Sequence, residues 1–223
     1  MNKIIPNVSS KLRHTIEVPE CIYTASGISV NGKRIKSLVF TTDVAIISNC
    51  NADAVIAVYP FTPTLQITKA IIEVSQTPVF AGVGGGTTKG PRVKEIALDA
   101  ELNGAMGVVL NAPTQTEFVQ ELSEHIDIPI VLTIVSIDEP LEERMLHSGA
   151  SIINVSGGKD TAKIVRTLRE IDSHFPIIAT GGPSDETIKE VIMAGANAVT
   201  YTPPTNGEIF KEMMEKYRKQ CSQ

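Results

Sequence analysis

Tryptophan is absent from this chain of 223 residues, aromatic residues make up 4% of it, and cysteine occurs three times. Cys21, Cys50 and Cys221 have no metal-ligand spacing and cannot all pair within one chain, which argues against a disulfide scaffold and for reduced thiols. The chain has no apolar run long enough to span a bilayer and no signal-peptide segment at its start, so a cytoplasmic protein without a membrane partner is expected. Lys and Arg form no cluster and the formal net charge is -5. Nucleic acid is therefore not expected as a partner, because gripping a phosphate backbone takes a concentrated positive surface. His14, His125, His147 and His174 are scattered with no H-x-x-x-H pair, which leaves no predicted metal site. A G-x-S-x-G elbow, a Walker A loop and a G-x-G-x-x-G turn are all missing, so hydrolase chemistry is a weak reading and no cofactor is predicted.

What is present is a rhythm. Apolar runs at Ser37 to Thr41, Ala54 to Val58, Pro78 to Gly82, Ala105 to Leu110, Pro129 to Ile134, Ser151 to Val155, Ile177 to Ala179 and Ala198 to Tyr201 read as strands, each followed by a helical segment. Their Ile, Val, Ala and Leu content suits parallel strands buried on both faces. Apolar stripes recur on the helices, among them Val93, Ile96, Ala97 and Ala100, then Leu141 and Met145, then Ile209, Phe210, Met213 and Tyr217, all expected to face inward. Gly104, Gly149 and Gly195 mark helix ends, and Pro78, Pro129 and Pro176 precede strands. Eight strand-helix units in one domain of this size predict a closed (β/α)8 TIM barrel over residues 34–223. Residues 1–33 form a short N-terminal extension. Thr15 to Val18, Cys21 to Thr24 and Ile28 to Val30 have strand character there, and Asn31-Gly32 predicts a hairpin turn. This extension is expected to cap the barrel bottom or to reach a neighbouring subunit as an arm.

A barrel carries its ligand at the C-terminal ends of the strands. Three corners there stand out: Gly157-Gly158 after the sixth strand, Gly181-Gly182 after the seventh, and Thr202 after the eighth. Glycine lets the backbone approach an anion closely, and exposed N–H groups with a hydroxyl can hold it. With these residues in view, the chain resembles the phosphate-binding group of (β/α)8 enzymes. That group includes sugar-phosphate isomerases and epimerases, indole-glycerol-phosphate and thiamine-phosphate synthases, and 2-keto-3-deoxy-6-phosphogluconate aldolase. The motif resemblance covers Ser151 to Pro204, and the strand-helix rhythm extends it over Arg34 to Tyr217. It implies that Gly157, Gly158, Gly181, Gly182 and Thr202 anchor a phosphate; it names no substrate.

The reactive residues are sparse. Asp43, in FTTDV, is the one carboxylate at a strand end and the candidate base, although its place before VAII is equally that of a helix N-cap. Lys89 is the candidate electrostatic group; a Schiff-base role lacks support, since the sixth strand offers Asn154 and Lys36 lies toward the wrong end of the first. Asn111, Thr133 and Asn154 are candidates to orient a ligand by hydrogen bonding. The segment Gly82 to Val93, with Gly84 to Gly86 in a row, reads as a flexible lid or a structural loop. The expected protein is a homo-oligomeric enzyme of the isomerase, epimerase or lyase type. It would act on a small phosphorylated metabolite by proton transfer or carbon-carbon bond rearrangement next to a carbonyl. A noncatalytic barrel that senses such a metabolite is the alternative.

Overall fold

Short apolar runs that alternate with helices can pair every backbone group without leaving an edge if they associate in parallel and close into a ring. The computed structural model describes Pro6, Val8 and residues 15–221; His14 lies outside the described residues. A hairpin of β1 (Ile28–Val30) and β2 (Lys33–Ile35) comes first. The ring strands follow as β3 (Ser37–Phe40), β4 (Ala54–Ala57), β5 (Val79–Gly84), β6 (Gly107–Leu110), β7 (Ile130–Ile134), β8 (Ile152–Val155), β9 (Ile177–Thr180) and β10 (Ala198–Tyr201). All pair in parallel with their sequence neighbours, and β10 closes against β3. The chain is a (β/α)8 barrel with a short N-terminal extension.

Around the strands run α1 (Val44–Ser48), α2 (Leu65–Val74), α3 (Pro91–Leu102), α4 (Thr116–Ser123), α5 (Thr161–Ile171), α6 (Asp185–Met193) and α7 (Asn206–Cys221). After β7 the expected helix is largely a π-helical turn, Glu143–His147, which buries Met145, with Leu141 buried just before it. Strand alternation splits the core in two. Val39, Val55, Ala81, Leu132 and Ile153 face the helices, whereas Leu38, Ile56, Phe80, Val109, Val131 and Ile152 fill the barrel. The prolines work at strand entries, where a missing N–H costs nothing: the carbonyls of Pro78, Pro129 and Pro176 accept from Val55, Val108 and Ile153 of the neighbouring strands.

The hairpin turn holds Asn31 at φ 48° and Gly32 at φ 79°, the pair of positive angles that suits the twist of a two-residue connection. Ile28, Val30 and Ile35 join the inward-facing cluster of the barrel. At the same end, the Asp53 carboxylate accepts from the N–H groups of Lys36 and Ser37, and Lys36 Nζ donates to the Tyr23 carbonyl at 2.5 Å.

Three local expectations are corrected. Cys21 to Thr24 is part of a 3-10 helix, Glu20–Thr24, that follows Pro19 and packs against α6. Thr15 to Val18 contributes a single parallel bridge between Ile16 and Cys50. On α7, only Ile209 packs against the core; Phe210, Met213 and Tyr217 are 64%, 38% and 49% exposed, because a periodic stripe defines a helix face without supplying anything to cover it. Among the described residues, no helix is long and apolar enough to cross a membrane.

Candidate functional site

The inward-facing residues at the strand ends form a mouth of two adjoining lobes. One is a cavity of about 350 Å³ whose lining includes Phe40, Val58, Asn111, Thr133, Asn154 and Ser156. The other, about 230 Å³, lies between Tyr59–Pro63 and Gly84–Thr88 and shares Val58, Val109 and Asn111 with the first. Strand register explains the polar pairing inside: Thr133 on β7 sits directly beside Asn154 on β8. Asn154 Nδ2 donates to Thr133 Oγ1 at 3.3 Å, while its Oδ1 is buried without a hydrogen-bond partner. Reversing the amide would only exchange which atom is orphaned. A buried polar atom left unpaired costs about 1–3 kcal/mol, so this one is a candidate ligand contact. Asn111, Thr133 and Asn154 are thus brought together.

Asp43 and Lys89 are not part of that lining. Asp43 caps α1: its Oδ1 accepts from the N–H groups of Ala45 at 2.9 Å and Ile46 at 3.2 Å. The Oδ2 atom makes no such bond and stays available on the rim after β3. Lys89 is exposed.

The glycine-rich segment is not built as a free flap. Gly85 N–H donates to the Thr88 carbonyl and Gly84 O accepts from Asn111 N–H, both at 2.9 Å. A Cβ on Gly85 would stand 2.0 Å from Thr114 Oγ1. These glycines therefore serve close approach between two loops, and Thr88, 8% exposed, bonds Thr62 Oγ1 at 3.1 Å beneath them.

At the three corners proposed for phosphate, the paired glycines divide their work. Gly157 N–H donates to Thr161 Oγ1 at 3.1 Å and Gly181 N–H to the Thr200 carbonyl at 3.2 Å. Both also sit where a side chain would collide, with Ile164 at Gly157 and with Val199 and Ile188 at Gly181. Gly158 and Gly182, at φ 59° and 74°, are exposed, and among the described residues none takes up their N–H groups. Thr202 is exposed as well. Acidic Asp185 and Glu186 occupy the first turn of α6, which opposes an anion there, while Lys159 directly follows Gly158.

The displaced pKa values all belong to groups outside the mouth. Burial pushes the thiols of Cys21 and Cys50 and the phenols of Tyr23 and Tyr201 upward, and burial lowers Arg169. Among the described residues, no three His, Cys, Asp or Glu side chains gather into a metal-binding group.

Two features escaped the sequence reading. Phe40 and Phe61 join Tyr59, a residue the sequence already places at a strand end, and put three of the ten aromatic residues at the mouth, a concentration visible in the YPF triplet one residue after β4. Arg144 carried no signal. It is 5% exposed; Nη1 donates to Thr114 O at 2.8 Å, and Nη2 to Ala112 O at 2.8 Å and Thr133 O at 3.3 Å. Its Nε lies 2.9 Å from Glu139 Oε2 without hydrogen-bond alignment, while Glu139 Oε1 accepts from Val135 and Ser136 N–H. This ion pair straps the loop after Asn111 to the end of β7.

No family model matches the chain, and no curated protein matches it in sequence. Solved structures do match in fold. A phosphonopyruvate hydrolase in complex with oxalate and Mg is 11% identical with a TM-score of 0.62, covering 86% of this chain and 85% of that one. A phosphoenolpyruvate phosphomutase from Streptomyces platensis is 11% identical with a TM-score of 0.60, covering 82% and 80%. The dihydrodipicolinate synthase of Agrobacterium tumefaciens is 16% identical with a TM-score of 0.57, covering 82% and 71%. At these identities the likeness establishes the barrel fold and nothing finer.

Proposed function

We propose that the protein is an enzyme that binds a small phosphorylated metabolite across the barrel mouth and acts on it by proton transfer or carbon-carbon bond rearrangement next to a carbonyl. The observation that carries this reading is the orphaned Asn154 Oδ1. A barrel that buries an unpaired amide oxygen at its ligand-bearing end accepts a stability cost that a bound hydroxyl or enol could offset. Asn111 and Thr133 line the same cavity and would orient the group. Gly158 and Gly182 N–H, with Thr202 and Lys159, would hold the phosphate at the rim, while Gly157 and Gly181 give those corners their shape. Two similar structures are named for phosphoenolpyruvate and phosphonopyruvate, small acids with a phosphoryl or phosphonyl group, which supports the substrate class.

In this reading Asp43 is the base. Its capped Oδ1 fixes the carboxylate and its Oδ2 takes the proton. Asn at the same position caps as well as Asp but cannot accept a proton from carbon. Full-length protein would be screened by thermal shift against sugar-phosphates and keto-acid phosphates, with product analysis of each stabilising compound. Asp43→Asn should keep binding and folding and lose turnover by about 100-fold or more; undiminished turnover would remove Asp43 from the mechanism. The uncharged lining of both lobes favours a second reading, a noncatalytic metabolite sensor. Saturable binding without product in that screen would select it.

A further inference from the structure

We infer that the part of the ligand entering the barrel is a neutral planar ring with an amide-like edge, a hydrogen-bond donor beside an acceptor as in a pyrimidinone, pyridone or lactam, and that its charged group stays at the rim. The inference rests on the mouth being the binding site and narrows what it takes.

Charge comes first. Neither lobe is lined by a single Asp, Glu, Lys, Arg or His. An ionised group pushed into such a cavity loses its hydration and finds no partner, which costs several kcal/mol. A phosphate or carboxylate is therefore kept outside, and the inner portion of the ligand carries no formal charge.

The hydrogen-bonding groups that do line the mouth are largely neutral amides and hydroxyls. Asn154, 7% exposed, lines one lobe and holds its amide oxygen unpaired and enclosed just behind that surface, and Asn111, half-buried where the lobes meet, makes no side-chain hydrogen bond among the described residues. A carboxamide offers an acceptor and donors in one plane, so it complements a planar edge that alternates the two, as Asn does when it reads adenine bidentately. A sugar ring, with hydroxyls pointing in several directions, has no such edge.

The walls suit a flat ring. In a chain with ten aromatic residues, Phe40 borders one lobe and Tyr59 and Phe61 the other, with Phe61 76% exposed. The Tyr59 ring is pinned, because its hydroxyl accepts from Thr64 N–H at 2.9 Å. The same lobe is lined by Gly84 and Gly86, which contribute backbone and no side chain. Stacking of a planar ring on an aromatic face contributes about 1–3 kcal/mol. The cavity of about 350 Å³ lies at the small end of the range for ligand pockets, about 300–1,000 Å³, and the adjoining one of about 230 Å³ falls below it, so together they suit one ring with a substituent.

The test is calorimetric titration of the full chain with uracil, 2-pyridone and 2-pyrrolidinone, against orotate as a charged planar ring and glycerol 3-phosphate as a charged nonplanar ligand. The neutral rings should bind, orotate should bind at least tenfold more weakly, and Asn154→Leu and Asn111→Leu should each weaken the neutral rings at least tenfold. Far-UV circular dichroism and unfolding midpoints would establish that both variants are folded. If glycerol 3-phosphate binds and loses affinity in Asn154→Leu while no neutral ring binds, the inference is overturned and the phosphometabolite reading stands. If the neutral rings bind equally well to wild type and both variants, the edge assignment is overturned. If none of the five ligands binds, both the inference and the site fall.

Discussion

Replacing Arg144 with Met is the sharpest test of how the mouth is held together. The guanidinium is 5% exposed and reaches three carbonyls, those of Ala112, Thr114 and Thr133, as well as the Glu139 carboxylate. Met preserves much of the side-chain volume but leaves those carbonyls without their donor and Glu139 without its counter-charge. Charge-assisted bonds of this kind contribute about 1.5–3 kcal/mol each, but Ala112 is only half-buried and can regain water. Breaking one side of a buried ion pair costs about 3–5 kcal/mol, which we adopt as the expected loss. For a chain of this size that lowers the unfolding midpoint by roughly 6–20 °C. Glu139→Gln keeps an acceptor for Val135 and Ser136 N–H while removing the stranded charge. The double variant should therefore be more stable than the two single losses summed, with a coupling of about 1–3 kcal/mol. Urea unfolding of the four proteins measures it. A loss below about 1 kcal/mol in Arg144→Met, or strictly additive losses, would refute the strap. Arg144→Lys should recover little, because an ammonium cannot span three carbonyls as a planar fork does.

Two further outcomes follow from local geometry. Gly181→Val should lower stability by about 1–3 kcal/mol through overpacking, since even a Cβ there would lie 2.6 Å from Val199 Cγ1 and 2.8 Å from Ile188 Cγ1; thermal unfolding at or above the wild-type midpoint would contradict this packing role. Glu208 accepts from Thr205 N–H and Oγ1, both at 2.8 Å, and these bonds, the backbone one foremost, hold its carboxyl below its ordinary value of 4.5. A depressed folded-state value means the cap stabilises above that ordinary value and is lost as pH falls through the folded one. The Thr205 amide resonance should titrate with a midpoint below 4.5, and Glu208→Gln should abolish the transition; a midpoint at or above 4.5 would refute the cap.

The barrel was legible because its strands are buried on both faces and so read as unbroken apolar runs, with prolines at three entries and glycines at helix ends. Gly104, for example, takes φ 90° just past α3, where a side chain would be strained. Where the reading failed, one local pattern served two tertiary outcomes. The β-branched and aromatic run Cys21 to Thr24 looks like a strand, yet Pro19 and the contact with α6 turn it into a 3-10 helix. The glycine run Gly84 to Gly86 suggested mobility, whereas the geometry uses it to press one loop against Asn111 and Thr114. Arg144, in the sequence EERML, looks like surface charge. Only the π-helical turn and the position of Glu139 send it inward.

The chemistry of the mouth follows from the phase of the strands. Inward positions alternate, so Leu38, Ile56, Val109, Val131 and Ile152 fix one apolar layer, and the residues two further along become the lining: Phe40, Val58, Asn111, Thr133 and Asn154. That phase places two carboxamides and a hydroxyl where charged groups could have stood. Amine chemistry has no nucleophile in this lining, since Lys36 is tied to the Tyr23 carbonyl at the hairpin end and Lys89 is exposed on a loop. If the proposed reaction takes place there, electrostatic work at the reacting atoms falls to preorganised neutral dipoles, whose effect grows as the ligand displaces water from the cavity. In the proposed reaction a proton acceptor would have to come from the rim, where Asp43 is held by its own helix. The proposed separation of a neutral interior from a carboxylate rim is what Asp43→Asn and Asn154→Leu probe independently: the first should spare binding and the second should weaken it at least tenfold.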